Sequence, residues 1–239
     1  MQEKEIEVIY EDENLLVVDK PPGLPVISRN RAERTLGDLL AEKYPEIKRV
    51  GKPPRYGIIH RLDRDTSGII LVAKNKEALI FFQKQFRDKK VIKKYFALVV
   101  GSLKQKEGEI RTLIGRNPKN RLKQKVYLPG EPKTEGKRLA VTYYKAIKKF
   151  RDYTLVEVIP ETGRKHQIRC HFLYLGNPIA GDKLYRFKNQ PCPEGLNRQF
   201  LHAYYVKLQM PNRKEKEFKS DLPKELKVVL SKLIPQKEL

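Results

Sequence analysis

Cysteine is nearly missing from this chain, with two in 239 residues (Cys170 and Cys192), no C-x-x-C and no Cys/His cluster. That argues against a disulfide framework and against a structural zinc site. No apolar segment approaches 18 residues, so no membrane-spanning helix is expected. The opening Met1-Gln2-Glu3-Lys4-Glu5 is charged and lacks an apolar core, which points away from a secretory leader and toward a reducing cytoplasm. Neither G-x-x-x-x-G-K-[ST] nor G-x-G-x-x-G occurs, so the familiar phosphate cradles are absent. The G-x-S-x-G elbow of a serine nucleophile is missing as well. The four histidines (His60, His166, His171, His202) lack metal-ligand spacing; His166 and His171 stand five apart, off the i, i+4 face of a helix. They read as core or hydrogen-bonding residues, and no metal is expected.

Acidic residues are also outnumbered. Lys plus Arg is 51 against 29 Asp plus Glu, a formal charge of +22. A thermophile-type surface would enrich both signs, whereas here one sign dominates. A surplus this large points to a polyanionic partner, most simply nucleic acid held through its phosphates. A membrane surface is the weaker alternative, since no basic amphipathic helix stands out. What remains is carboxylate-centred chemistry, free of cofactors, on a polyanionic substrate.

One stretch concentrates the polar residues such chemistry needs. His60-Arg61-Leu62-Asp63-Arg64-Asp65-Thr66-Ser67-Gly68 runs straight into the apolar Ile69-Ile70-Leu71-Val72-Ala73, closed by Lys74-Asn75. An apolar run of that length between turn signals predicts a buried strand. A carboxylate at its mouth is held more firmly than one on a loose loop. The plainer reading pairs Asp63 and Asp65 with Arg61 and Arg64 in a solvated turn worth little energy.

Around this stretch the pattern predicts strands at 6–10 and 15–19, with Lys20-Pro21-Pro22-Gly23 ending the second. A helix is expected from Thr35, its N-cap, to Tyr44, and a second from the N-cap Asn75 to about Asp88. In the latter, Ala78, Leu79, Phe82 and Phe86 share the inward face. Residues 46–57 read as a loop. Strands are expected at 93–101, 140–147, 153–160 and 201–208, and helices over 161–175 and 221–233. Residues 115–125, opening on Gly and Pro, form the most basic patch and suggest a finger that touches RNA. There is no internal repeat and no linker composition, so a single domain over 1–239 is expected.

Six blocks in one order then carry a family resemblance. His60 to Lys74 resembles the signature of RluA-type pseudouridine synthases. Asn14 to Val26, Lys93 to Gly101, Glu161 to Phe172, Leu175 to Tyr185 and Leu201-His202-Ala203 resemble five further blocks of that family. The resemblance implies an α+β fold, the pseudouridine synthase catalytic core, with a largely antiparallel mixed sheet in two lobes and an active-site cleft between them. It implies isomerisation of specific uridines to pseudouridine in structured RNA. A buried uridine has to be flipped out of its stack first, at a cost of about a few kcal/mol.

By the same resemblance Asp63 is the essential carboxylate, acting either as nucleophile or as base. Arg169 is its ion-pair partner, and Tyr95 is the ring that stacks on the flipped base. Arg61 contacts the distorted RNA, and Asp65 hydrogen-bonds the turn. RNA-contact candidates are His60, Arg61, Arg64, Arg116, Arg121, Lys123, Lys125, Arg164 and His166. No cofactor and no small-molecule partner is implied, and a monomer is expected. Many relatives carry a small RNA-binding domain ahead of the core. Here the first strand begins close to Met1, so target choice is expected to rest on the core and its loops. The wording Arg64-Asp65-Thr66 is closer to the large-subunit ribosomal RNA enzymes, while lack of that domain is shared with relatives acting on transfer RNA. A catalytically silent RNA-binding or ribosome-assembly protein on the same fold is the competing reading, against which stand Asp63, Tyr95 and Arg169, all present.

Overall fold

The computed structural model describes residues 6–28, 30, 32–131 and 134–236. The charged opening Met1–Glu5 therefore lies outside the described residues. The chain packs as two compact units, one formed by residues 1–92 and 203–221, the other by 93–202 and 222–239.

The first unit is built on a sheet in the order β1 (Glu7–Glu11), β2 (Leu15–Lys20), β3 (Ser67–Ala73) and β9 (Leu201–Gln209). β10 (Glu215–Lys219) pairs antiparallel with β9. β2 runs antiparallel to β3 in a register that sets Leu15 against Ala73 and Lys20 against Gly68. All seven residues of β3 are buried, as a strand covered on both faces requires. Each buried Ile, Leu or Val side chain contributes about 1.5–3 kcal/mol, so this strand is a rigid base for the turn that precedes it. α1 (Leu36–Lys43) starts at Thr35 through a capping box shared with Asp38. α2 (Lys76–Arg87) starts at Asn75, whose side chain accepts from Ala78 N at 2.8 Å. Ala78 and Phe82 are buried, and Leu79 and Phe86 pack beside them in the core around β2 and β3. The expected loop at 46–57 contains a short 3₁₀ turn, Pro45–Arg49, which buries Ile47.

The second unit carries strands in the order β4 (Ile92–Val100), β8 (Tyr153–Pro160), β7 (Arg138–Lys149), β5 (Glu107–Arg116) and β6 (Gln124–Tyr127), all paired antiparallel. α3 (Gln167–Tyr174) and α4 (Lys224–Ser231) pack in the same unit. α4 buries Leu226 and Val229 against Leu98, Phe150 and Phe200, with Leu222 and Leu230 at the margin. The fold is therefore α+β, in agreement with expectation.

β5 and β6 fall in residues 103–138, where only short strand-like pieces and basic loops are expected, and two further elements depart from the sequence pattern. α3 begins six residues later than the expected helix, because His166 adopts a left-handed backbone (φ 56°) and Gln167 ties residues 162–164 to β7 instead. β10 was not expected: its sequence Glu-Lys-Glu-Phe-Lys buries only Phe218, too little for a hydrophobic pattern to show. Among the described residues no helix is long and apolar enough to cross a membrane.

Candidate active site

In the first unit, the chain from His60 to Thr66 forms an irregular turn closed by Thr66 N donating to Asp63 O at 3.1 Å. Asp63 is half-buried on this turn, and Arg61 and Arg64 are exposed. Several bonds fix it to β2 and β3. Ile59 N donates to Leu71 O at 3.0 Å, and Leu71 N donates to His60 Nε2 at 3.2 Å. The His60 ring also stacks on Phe86, with centroids 5.0 Å apart. His60, a candidate for RNA contact, is thus engaged with the strand that carries the motif. Arg64 forms an ion pair with Glu33 at the surface.

The firmest tether is a residue the sequence did not single out. Lys20 is fully buried, and its ammonium donates to Pro21 O (2.8 Å), Leu24 O (2.9 Å) and Arg64 O (2.9 Å). A buried ammonium is tolerated only when its donors are satisfied, and these three carbonyls supply the partners. Gly23 N adds a second bond to Arg64 O at 3.0 Å. The K-P-P-G block and the Asp63 turn are thereby fastened one residue past the carboxylate. Gly68 completes the arrangement: at φ +117° a Cβ there would lie 2.2 Å from Ala203 O, so only glycine lets β3 pass β9 this closely.

In the second unit, Tyr95 is buried on β4 opposite Val158. Burial pushes the Lys93 ammonium, two residues before it, down to about 8. Arg169 lies on the first turn of α3, 7% exposed. Its Nε and NH2 donate to the two oxygens of Asp182 at 2.6 and 2.9 Å, a bidentate pair in which the carboxylate is wholly buried. Asp182 Oδ1 also accepts from Leu184 N and Tyr185 N, each at 2.8 Å. The Arg169 guanidinium stacks over the Tyr185 ring, 5.0 Å from its centroid. The Tyr185 hydroxyl accepts from Gln124 N at 2.6 Å and meets His166 Nδ1 at 2.8 Å. One tyrosine therefore joins α3, the His166 corner and the base of the 115–125 loop.

The T-G-R-K-H corner is held from beneath by Gln167. Its amide donates to Val141 O and Thr142 Oγ1 at 2.9 and 2.8 Å, and its carbonyl accepts from Thr162 Oγ1 and Arg164 N at 2.8 and 2.9 Å. Arg164 Nε donates to Leu139 O, and burial with neighbouring Arg138 holds its guanidinium below the usual range. His171 is completely buried between Thr112 and Thr142 hydroxyls at 3.0 and 2.9 Å, and burial pushes it down to about 4. It is a neutral core residue.

The basic loop is the connection between β5 and β6. Asn117 Oδ1 accepts from Lys119 N and Asn120 N, and Asn117 N donates to Lys123 O at 3.1 Å, so the loop folds on its own side chains. Arg116, Arg121 and Lys125 are exposed on it; Lys123 is half-buried. Lys125 also lies over the Tyr127 ring, 5.0 Å from its centroid. Among the described residues no group of three or more His, Cys, Asp or Glu could hold a metal.

With this geometry in place, comparison with known proteins fixes the class. Residues 14–174 match the model of the RNA pseudouridylate synthase family, and the chain belongs to that family. It is 38% identical over 214 residues to ribosomal large subunit pseudouridine synthase D of Nitrosomonas europaea, covering 87% of this chain and 59% of that one. It is 36% identical over 249 residues to the synthase D of Pseudomonas aeruginosa, covering 99% and 74%. The chain thus spans between three fifths and three quarters of the length of these curated relatives. Human RNA pseudouridylate synthase domain containing 4 shares the fold with a TM-score of 0.77 and 26% identity, over 94% of this chain and 92% of that one.

Proposed function

We propose that this chain is an RNA pseudouridine synthase acting as one catalytic domain on specific uridines of large-subunit ribosomal RNA. The observation that carries the reading is the Asp63 turn: a half-buried carboxylate on a segment locked by Lys20, Gly23 and β3, in a family defined by this chemistry. Ribosomal RNA is preferred to transfer RNA because the similar relatives named for a substrate are ribosomal large subunit enzymes.

In this reading the N1–C1′ bond of the flipped uridine breaks and the uracil turns. C5 then bonds to C1′, C5 loses its proton and N1 gains one, so atoms and charge balance without a redox partner. Asp63 supplies the essential carboxylate, and a cation that favours its ionised form is provided by Arg169. Tyr95 stacks on the displaced base. Arg61, Arg64, Arg164 and His166, with Arg116, Arg121, Lys123 and Lys125 of the basic loop, contact the RNA and offset the cost of flipping. The protein works as a cytoplasmic monomer.

The test is chemical mapping of pseudouridine in unmodified ribosomal RNA incubated with wild type or Asp63→Asn. New pseudouridine with wild type alone supports the reading. Equal signal from both proteins sinks Asp63, and tight RNA binding without any signal favours a silent binding protein.

A further inference from the structure

Beside the Arg169–Asp182 pair, the second unit has a concave basic surface of which the roles above use only Lys123. A cavity of about 410 Å³ is lined by Lys123, Lys183, Arg186, Phe187, Lys188 and Gln190, among others. A smaller one of about 200 Å³ shares Lys183, Arg186 and Gln190 with it and reaches Asp182. Among the described residues none of the four cations sits in an ion pair, although many other Lys and Arg of the chain do. Asp182 does not neutralise them, since its carboxylate is fully buried and spent on Arg169 and two backbone amides. The lining thus holds four positive charges and no available negative one.

The surface is also built rather than loose. Asp182 fixes Leu184 N and Tyr185 N, and Tyr185 is buried with its hydroxyl on Gln124 N, which locks Lys123 to the 183–190 segment. Gln190 Oε1 accepts from Phe187 N at 3.2 Å, its amide donates to Ile179 O at 3.3 Å, and Asn189 takes the left-handed turn (φ 57°). Phe187 is 49% exposed at the tip of this pinned turn, flanked by Arg186 and Lys188. Leaving a large aromatic ring in water between two unpaired cations has no packing benefit. It does match the way single strands are bound: phosphates on the cations, an unstacked base on the ring.

We infer that the Lys123–Lys183–Arg186–Lys188 groove, with Phe187 as a stacking platform, binds a single-stranded segment of the RNA. This deepens the synthase reading and rests on it. A duplex fits poorly, because its bases are already stacked on one another and give Phe187 no free face. Through Asp182 and Tyr185 the groove is continuous with the supports of Arg169, so a strand seated here approaches the catalytic arginine from within its own unit.

The probe is a fluorescein-labelled A12 oligonucleotide, which contains no uridine and so reports binding without turnover. Lys183→Gln/Arg186→Gln/Lys188→Gln is expected to weaken A12 binding at least tenfold at 100 mM salt and to lower the log–log salt slope by about 2, three lost phosphate contacts on a single strand. Phe187→Ala is expected to weaken binding several-fold with an unchanged slope, and Phe187→Trp to restore it. The control Lys76→Gln/Lys84→Gln/Lys90→Gln removes the same charge from α2 and the turn that follows it and is expected to change neither by more than twofold. The inference is overturned if the groove triple leaves affinity and slope unchanged, if the α2 triple weakens A12 equally, if a 12-base-pair RNA duplex loses as much affinity as A12, or if polyglutamate of equal charge displaces A12 as well as unlabelled A12 does. Wild type that binds A12 through the groove but makes no pseudouridine overturns the synthase reading and leaves the groove standing.

Discussion

The buried Arg169–Asp182 pair invites the most quantitative test, because both side chains are almost inaccessible and their geometry is bidentate. Asp182→Asn keeps the size of the residue and an oxygen for Leu184 N and Tyr185 N, but removes the charge facing the guanidinium. Stranding a buried charge in this way costs about 3–5 kcal/mol. Asp182→Ala also orphans the two backbone amides, each worth about 1–3 kcal/mol when left unsatisfied, so it is expected to be the worse variant by about 2 kcal/mol or more. Arg169→Met leaves the carboxylate buried with only those amides, a loss of about 3 kcal/mol. In Arg169→Met/Asp182→Asn neither charge is stranded, and the double variant is expected to recover about 3 kcal/mol relative to the sum of the singles. Urea unfolding followed by circular dichroism measures all four proteins. Strict additivity, with the double variant falling within about 0.5 kcal/mol of the summed singles, would show that the pair does not act as a unit and refute the reasoning.

Three further outcomes follow from other parts of the molecule. Lys20→Met removes the donor to three carbonyls and is expected to lower stability by about 1–3 kcal/mol and to reduce kcat at least tenfold; wild-type turnover in the folded variant would show that the tether does not position Asp63. His171, held near 4 in the fold against its ordinary value of 6.5, binds fewer protons when folded than when unfolded between those values, so stability falls as pH drops from 6.5 toward 4, by about 3 kcal/mol in all. His171→Gln should flatten that acid limb in urea titrations, and an unchanged limb would remove His171 as its source. Neutralising Arg116, Arg121, Lys123 and Lys125 together should weaken ribosomal RNA binding and lower its salt slope by roughly 3 to 4; a constant slope would take the β5–β6 loop out of the RNA interface.

How far the sequence revealed this arrangement depends on the distance between the partners. The helices that start at Thr35 and Asn75 were legible because each cap bonds three residues ahead. β3 was legible because its apolar run is continuous. The start of α3 was not, since Gln167 bonds back to Val141 and Thr142, about 25 residues earlier, and no local signal marks that. The family resemblance implied two lobes, but where the two units divide was hidden. The chain passes between them three times: within β4 at Ile92–Lys93 and within β9 at His202–Ala203, where no Gly, Pro or Ser interrupts the strands, and at Asp221–Leu222 ahead of α4.

The candidate site divides in the same way. The stretch around Asp63 stood out through its dense polar residues and the apolar strand after it, but the family resemblance, not the pattern, separated Asp63 from Asp65. Lys20 and Asp182 did not stand out, because a lysine before two prolines and an aspartate after a glycine read as ordinary turn residues. Their partners, Arg64 O and the Arg169 guanidinium, are 44 and 13 residues away. Three-dimensional contact turns these two residues from punctuation into the supports of the candidate catalytic carboxylate and arginine.

In the proposed reaction Asp63 drives formation of the C5–C1′ bond, and that step expels the hydrogen at C5. Release of tritium from [5-³H]uridine-labelled ribosomal RNA therefore counts turnovers directly. Wild type is expected to release tritium in proportion to the pseudouridine formed, and Asp63→Asn, folded and binding the RNA with wild-type affinity, to release none above background. Equal release by the two proteins, or none by either, would contradict the account.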